Sequence, residues 1–295
     1  MYRYLDGVLY VLIALVTLPV YVAIIKQFLT HKAFKSKSSF QIMAALGVFE
    51  CLLQFGFIIF GIFTLCGCVL DPTLEKVITS LVNASGNVAF PTILLLSLNR
   101  FAVISQLKIF GSKFYRFCFA LIFTYWTAFF LICLTPWAGQ FYLLQNGSAG
   151  YDNKLSFSQT LNRVEYYVNH TCVSATLGLY LLTVIVLVYR RRRLSLNHSV
   201  ITKNELKILI QAVVIFIGCS VDLMLTYYGA QLFTWSYLQG LIVMEAFQIT
   251  FGIMNPIIHL AMNEELRNYF FIRRKSAKVT VMSISELIPN GIVSK

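Results

Sequence analysis

Nothing in this chain is concentrated enough to be a reaction centre. Its four histidines (His31, His170, His198 and His259) stand far apart without metal-ligand spacing. No nucleophile triad and no glycine-rich phosphate loop accompany them, so no enzyme activity, metal or cofactor is expected. Charge is also scarce, at 12% of residues, where soluble domains carry about 25%. Lysine is missing from the last apolar stretch, Tyr237–Met262, which excludes a retinal Schiff base there. No cysteine follows Cys219, so the C-terminal segment cannot be palmitoylated.

What fills the chain instead is apolar: 58% of residues are hydrophobic and the mean hydropathy is +0.73. A hydrocarbon core ~30 Å thick takes ~20 helical residues to cross, and seven stretches are long enough. They are Gly7–Ile25, Phe40–Ile62, Val77–Asn99, Phe117–Trp137, Val168–Tyr189, Ile208–Gly229 and Tyr237–Met262. The first is too long for the apolar part of a signal peptide and has no cleavage site, so it reads as a retained span. With the N-terminus outside, 20 of the 24 lysines and arginines fall on the cytoplasmic side and four on the outer side. The positive-inside bias therefore sets the N-terminus out and the C-terminus in. It also accounts for the net charge of +12 through anionic lipid headgroups, with no call for nucleic acid.

The expected fold is an all-α membrane protein, a seven-transmembrane helix bundle. A short amphipathic helix follows the last span, with Leu266, Tyr269 and Phe270 on one face. Residues 1–275 form the membrane domain; residues 276–295 read as a disordered cytoplasmic tail. A six-residue N-terminal tail leaves any ligand site among the helices or under the loops.

Three acids lie within the spans, where ionisable residues are functional candidates by default. Glu50, 13 residues past Lys37, is expected near mid-bilayer. It could join Asn255 in a polar core holding a proton, a sodium ion or water. Asp222 and Glu245 fall in the outer half and are candidate ligand contacts, weighed equally against helix–helix hydrogen bonding. The third span ends on Asn99, Arg100 and Phe101, which places Arg100 where the helix meets cytoplasm, facing other helices. On the outer side a bridge from Cys66 or Cys68 to Cys172 is chemically allowed. Asn146 and Asn169 are candidate glycan acceptors.

The residues that close the third and seventh spans carry a resemblance. Asn99-Arg100-Phe101 and Asn255-Pro256-Ile257-Ile258-His259 resemble the matching motifs of rhodopsin-like G-protein-coupled receptors, with Trp126 and Pro136 spaced as in the fourth helix of that superfamily. More closely, FQIMAALGVFECLLQFGFIIFGIF, LSLNRFAVI and MNPIIHLAMNEELRNYF are similar to the nematode serpentine chemoreceptors, class T. Asn99 stands where the wider superfamily usually has an acid, His259 stands where it usually has tyrosine, and the third span has no cysteine at its outer end.

The resemblance implies a chemosensory receptor in the plasma membrane, with a sensory cilium as the finer expectation. It would bind an extracellular small-molecule or peptide ligand and activate a heterotrimeric G protein. The switch would comprise Asn99, Arg100, Phe101, Asn255, Pro256 and His259. A small-solute transporter is the main rival, but no internal repeat supports it.

Overall fold

The computed structural model describes residues 2–107, 110–144, 148–193, 203–232, 256–258, 260–261 and 266–268. Five described helices are long and apolar enough to cross a membrane, and Ala212–Tyr228 is a further apolar helical stretch. In chain order the elements are α1 (Tyr2–Thr30), α2 (Lys32–Lys35), α3 (Ser38–Cys66), α4 (Pro72–Ile104) and α5 (Ser112–Leu134). A hairpin of β1 (Gln140–Leu143) and β2 (Ser148–Tyr151) follows, then α6 (Ser156–Arg193) and α7 (Lys203–Leu232). The seventh expected span falls almost wholly outside the described residues, as do Asn255, His259, Glu245 and the tail.

The helices start and stop where local chemistry says they should. Asp71 caps α4 by accepting the Leu74 amide at 2.8 Å, with Pro72 opening the first turn. Gly67 ends α3 at φ 72°, a left-handed conformation that glycine adopts without strain, and its N–H bonds the Phe63 carbonyl. Pro19 and Pro91 lie inside α1 and α4, and both helices run through them. The inner α1–α3 turn is pinned by Phe28, Phe34 and Phe40, whose ring centroids lie 4.7–5.8 Å apart. Leu266, on the expected amphipathic face, is fully buried in the same cluster.

Exposed apolar side chains such as Val16, Phe117, Phe123 and Ile185 form the outward faces of α1, α5 and α6. The inner faces bury polar residues instead: α3 buries Glu50 and Gln54, and α4 buries Ser80, Ser85, Asn87, Thr92, Ser97, Asn99 and Arg100. This polar-inside pattern suits a bundle in lipid, where polar groups satisfy one another across helices.

One boundary departs furthest from the sequence reading. α6 begins at Ser156, twelve residues before the expected start at Val168. At 1.5 Å per residue, its 38 residues span about 57 Å, so its first turns rise above the membrane. Between α5 and α6 stands the hairpin, paired Gln140↔Tyr151 through Leu143↔Ser148. Tyr142 seats it: its hydroxyl bonds Thr64 Oγ1 at 2.6 Å, its ring stacks on Phe60, and its amide donates to Glu75 Oε1 at 2.6 Å. Ser158 of α6 clasps the backbone of Gly139 beside β1.

The early start of α6 bears on the bridge expectation. Cys172 lies sixteen residues into α6, roughly 24 Å below its start, buried among Ala89, Phe90, Ile93 and Cys219. Cys66 and Cys68 are exposed at the end of α3, and all three thiols are free. Hydrogen bonds fasten the hairpin.

Candidate functional site

Polar groups gather at two ends of the same helices. α4 and α6 run parallel, so residues 82 apart face each other at Asn83/Glu165 and again at Asn87/Asn169.

At the outer end Glu165 is the hub. Its Oε2 accepts the Tyr151 hydroxyl at 2.5 Å and the Asn83 amide at 3.3 Å, while Oε1 accepts the Tyr227 hydroxyl at 3.1 Å. Asn83 Nδ2 also donates to Tyr151 at 2.8 Å. One carboxylate on α6 thus ties together the hairpin, α4 and α7. Burial, and then the adjacent Glu165 charge, push the Tyr151 phenol far above its ordinary range, so it stays protonated and donates.

Next to Glu165 and about a turn further along α6, Tyr166 and His170 meet α7. Tyr166 and Tyr228 share a hydroxyl–hydroxyl bond of 2.6 Å; the two His170 nitrogens lie 2.8 Å from the Tyr166 carbonyl and 3.4 Å from the Tyr228 hydroxyl. Below them Asn169 donates to Asn87 Oδ1 at 3.0 Å. That leaves Asn87 Nδ2, Asn169 Oδ1 and the Tyr125 hydroxyl buried without a partner among the described residues.

None of Glu165, Tyr166, His170 or Tyr227 was singled out as a ligand contact from sequence. Asp222 was, and it lies five residues before Tyr227 on α7, about 7.5 Å deeper. It is turned away from the exposed Ile217, Val221 and Met224, with Cys219 beside it on the inward side. Glu245 lies outside the described residues. Asn169 is 2% exposed and hydrogen-bonded inside the bundle. That position does not suit the expected glycan, because the helix that holds it begins far earlier than expected. Asn146 lies outside the described residues.

At the inner end Arg100 is 6% exposed. It faces α3 and α6, with Nη2 3.9 Å from Met43 Sδ and Nε without a partner among the described residues. The Tyr115 and Tyr180 hydroxyls lie close enough to act on its charge, and that of Tyr180 is itself an orphan. Asn99 makes no bond to its arginine neighbour. Its Oδ1 accepts Ser39 Oγ at 2.6 Å and its Nδ2 donates to the Tyr115 hydroxyl at 2.7 Å, joining the starts of α3 and α5 to the end of α4. Phe101, next in the motif, is half-buried, and Pro256 is buried.

Between the two ends, Glu50 is 2% exposed. Beside it, a cavity of about 10 Å³ opens to Tyr21, Met43 and Gly47, room for a single water. Its expected partner Asn255 lies outside the described residues. Among the described residues no group of three histidines, cysteines or acids could hold a metal.

Comparison with known proteins places this geometry. The family model described as serpentine type 7TM GPCR chemoreceptor Srt matches residues 1–281. No curated protein matches by sequence. Among solved structures, the crystal structure of squid rhodopsin is similar at a TM-score of 0.73 with 14% identity, over 90% of this chain and 83% of that one. That likeness shows the fold, a seven-helix bundle of the rhodopsin type.

Proposed function

Because the chain belongs to the serpentine type 7TM GPCR chemoreceptor family Srt, we propose that it takes an extracellular ligand between the outer halves of α4, α6 and α7 and signals through the inner ends of these helices to a heterotrimeric G protein. It is an integral membrane protein and a G-protein-coupled chemoreceptor, from a receptor family and not an enzyme family. The observation that carries the coupling role is Arg100, buried at the inner end of α4 with a free Nε and no carboxylate bonded to it among the described residues. A planar cation held there with donors to spare is fitted to an incoming carbonyl or carboxylate.

The outer polar focus supplies the ligand end. Tyr227 and Tyr228 link it to α7, so a ligand competing for those bonds would bias the position of the helix whose inner half packs at Leu209, Ala212 and Phe216 beside α4. Asn255, Pro256 and His259 would complete the switch, and Glu50 with Asn255 its polar core. The plasma membrane is the site of action, a sensory cilium its finer form, with residues 276–295 as a cytoplasmic tail. Ligand-dependent nucleotide exchange on a purified G protein tests the reading; solute flux in proteoliposomes without such exchange would indicate a transporter instead.

Asp222 lies about a turn and a half below the outer focus, and Glu245 is expected at similar depth. Asp222→Asn or Glu245→Gln is expected to weaken agonist potency about tenfold, the worth of one hydrogen bond to a charged group. Unchanged dose–response curves for both variants at normal expression would remove these acids from the pocket.

Orientation has its own test. Asn146 is expected to carry glycan and Asn197 to carry none, since the lysine and arginine count puts them on opposite sides. A glycosidase-sensitive band that survives Asn146→Gln and vanishes with Asn197→Gln would reverse the topology.

A further inference from the structure

We infer that Glu165 is the anionic anchor of a binding site for a small organic cation, a protonated amine or quaternary ammonium, walled by Tyr151, Tyr166, His170, Tyr227 and Tyr228. This rests on the receptor reading and names the ligand class for its outer site.

The argument starts from missing counter-charge. Among the described residues Glu165 is hydrogen-bonded only by neutral donors, two tyrosine hydroxyls and one amide. Of the four lysines and arginines expected on the outer side, the three whose side chains are described are not bonded to it. Lys76 donates to the Thr135 carbonyl at 2.6 Å, Lys154 and Arg163 are exposed, and Arg3 stands at the start of α1. The undescribed outer stretches, residues 145–147 and 233–255, contain no lysine, arginine or histidine. A carboxylate set among helices without a cation of its own is costly unless something else supplies one.

The walls fit the same ligand. His170 lies 4.0 Å from Tyr166 and 5.4 Å from Tyr227 between ring centroids, and Tyr166 meets Tyr227 edge-on at 5.1 Å. Electron-rich faces around an anion attract ammonium groups. A second observation points to an occupant. Tyr125, which feels the Glu165 charge, has a buried hydroxyl with no partner among the described residues, and Asn87 Nδ2 and Asn169 Oδ1 below it are likewise unpartnered there. Buried polar atoms in a native fold are nearly always satisfied, and a ligand ammonium with its hydration water would satisfy these. A cation on Oε1 would displace the Tyr227 hydroxyl, which couples occupancy to α7.

The test uses the full-length receptor in nanodiscs at neutral pH, with phenethylammonium and its N-trimethyl derivative as probes. Phenethyl alcohol and phenylacetate serve as neutral and anionic isosteres. The cations are expected to raise the unfolding temperature saturably, with the isosteres weaker by about tenfold or more. Glu165→Gln should cost the cations about tenfold in apparent affinity. Tyr227→Phe, which frees a carboxylate oxygen without adding charge, should tighten cation binding. Should Glu165→Gln not fold, the isostere series and Tyr227→Phe still decide the matter. Isosteres that bind as well as the cations, cations that fail to bind, or a Glu165→Gln protein that binds them like the parent would overturn the site. Binding is read without a G protein, so cation binding without nucleotide exchange would uphold the site and sink the coupling reading instead.

Discussion

Arg100→Lys is expected to fold, reach the membrane and bind agonist at matched surface expression, yet lose most G-protein activation. Burial removes the simplest competing role. An arginine anchoring a helix end among lipid phosphates would be exposed, whereas Arg100 is 6% exposed, between Met43 and the Tyr115 and Tyr180 hydroxyls. Nor is it locked by its neighbour, since both polar atoms of the Asn99 amide are occupied by Ser39 and Tyr115. The side chain is thus held in place by packing, with its Nε unpartnered among the described residues. Lysine keeps the positive charge but replaces a rigid planar fork by a single flexible ammonium, which cannot bond a carboxylate in bidentate fashion.

Asn99→Asp tests the same geometry from the other side. Its carboxylate could still accept from Ser39 and Tyr115 while offering charge to Arg100, so basal exchange should fall. Nucleotide exchange on purified G protein reads both variants. Parent-like exchange by Arg100→Lys would reduce the arginine to a packing residue.

The residues of this arrangement differ in how legible they are from sequence. The long apolar runs made α1, α3, α4 and α5 legible because lipid demands unbroken hydrophobic faces. Arg100 was legible for the converse reason, as a charge where apolar sequence runs out. Glu165 was not. It belongs to the polar turn Asn162–Tyr167 above the expected start of the fifth span, and hydropathy alone reports where lipid begins, not where a helix does. The helix continues through that turn because the hairpin and α4 supply polar partners there.

The same misplaced boundary put Cys172 and Asn169 at the outer surface when both are buried in the bundle. The hairpin did leave a sign. Asn146-Gly147 is a turn-forming dipeptide, although Leu143 and Ser148 pair across four residues rather than two.

Gly61→Leu is expected to abolish surface expression, and Gly61→Ala to lower the unfolding temperature, because α1 and α3 meet backbone to backbone at this residue. Within lipid no hydrophobic force drives helices together, so association depends on close packing that small residues permit. A Cβ on Gly61 would sit 2.8 Å from the Gly7 carbonyl oxygen and 2.7 Å from Val11 Cγ2; one on Gly7 would sit 3.1 Å from the Gly61 carbonyl oxygen. A side chain could swing aside, but a carbonyl oxygen moves only with its helix. Alanine must therefore push α1 outward, weakening the contact of Tyr10 with Phe57, whose ring centroids are 5.5 Å apart. Overpacking of this kind costs about 1–3 kcal/mol, and leucine should exceed it. Gly178→Ala on α6 is the control: its Cβ would meet nothing within 4 Å, and alanine favours a helix over glycine by about 1 kcal/mol. Thermal unfolding of the detergent-solubilised receptor reads the two alanine variants side by side. If Gly61→Ala unfolds no earlier than Gly178→Ala, the glycines are not what holds α1 to the bundle. The burden would then pass to the buried Thr17, Tyr21 and Ile24 further along α1.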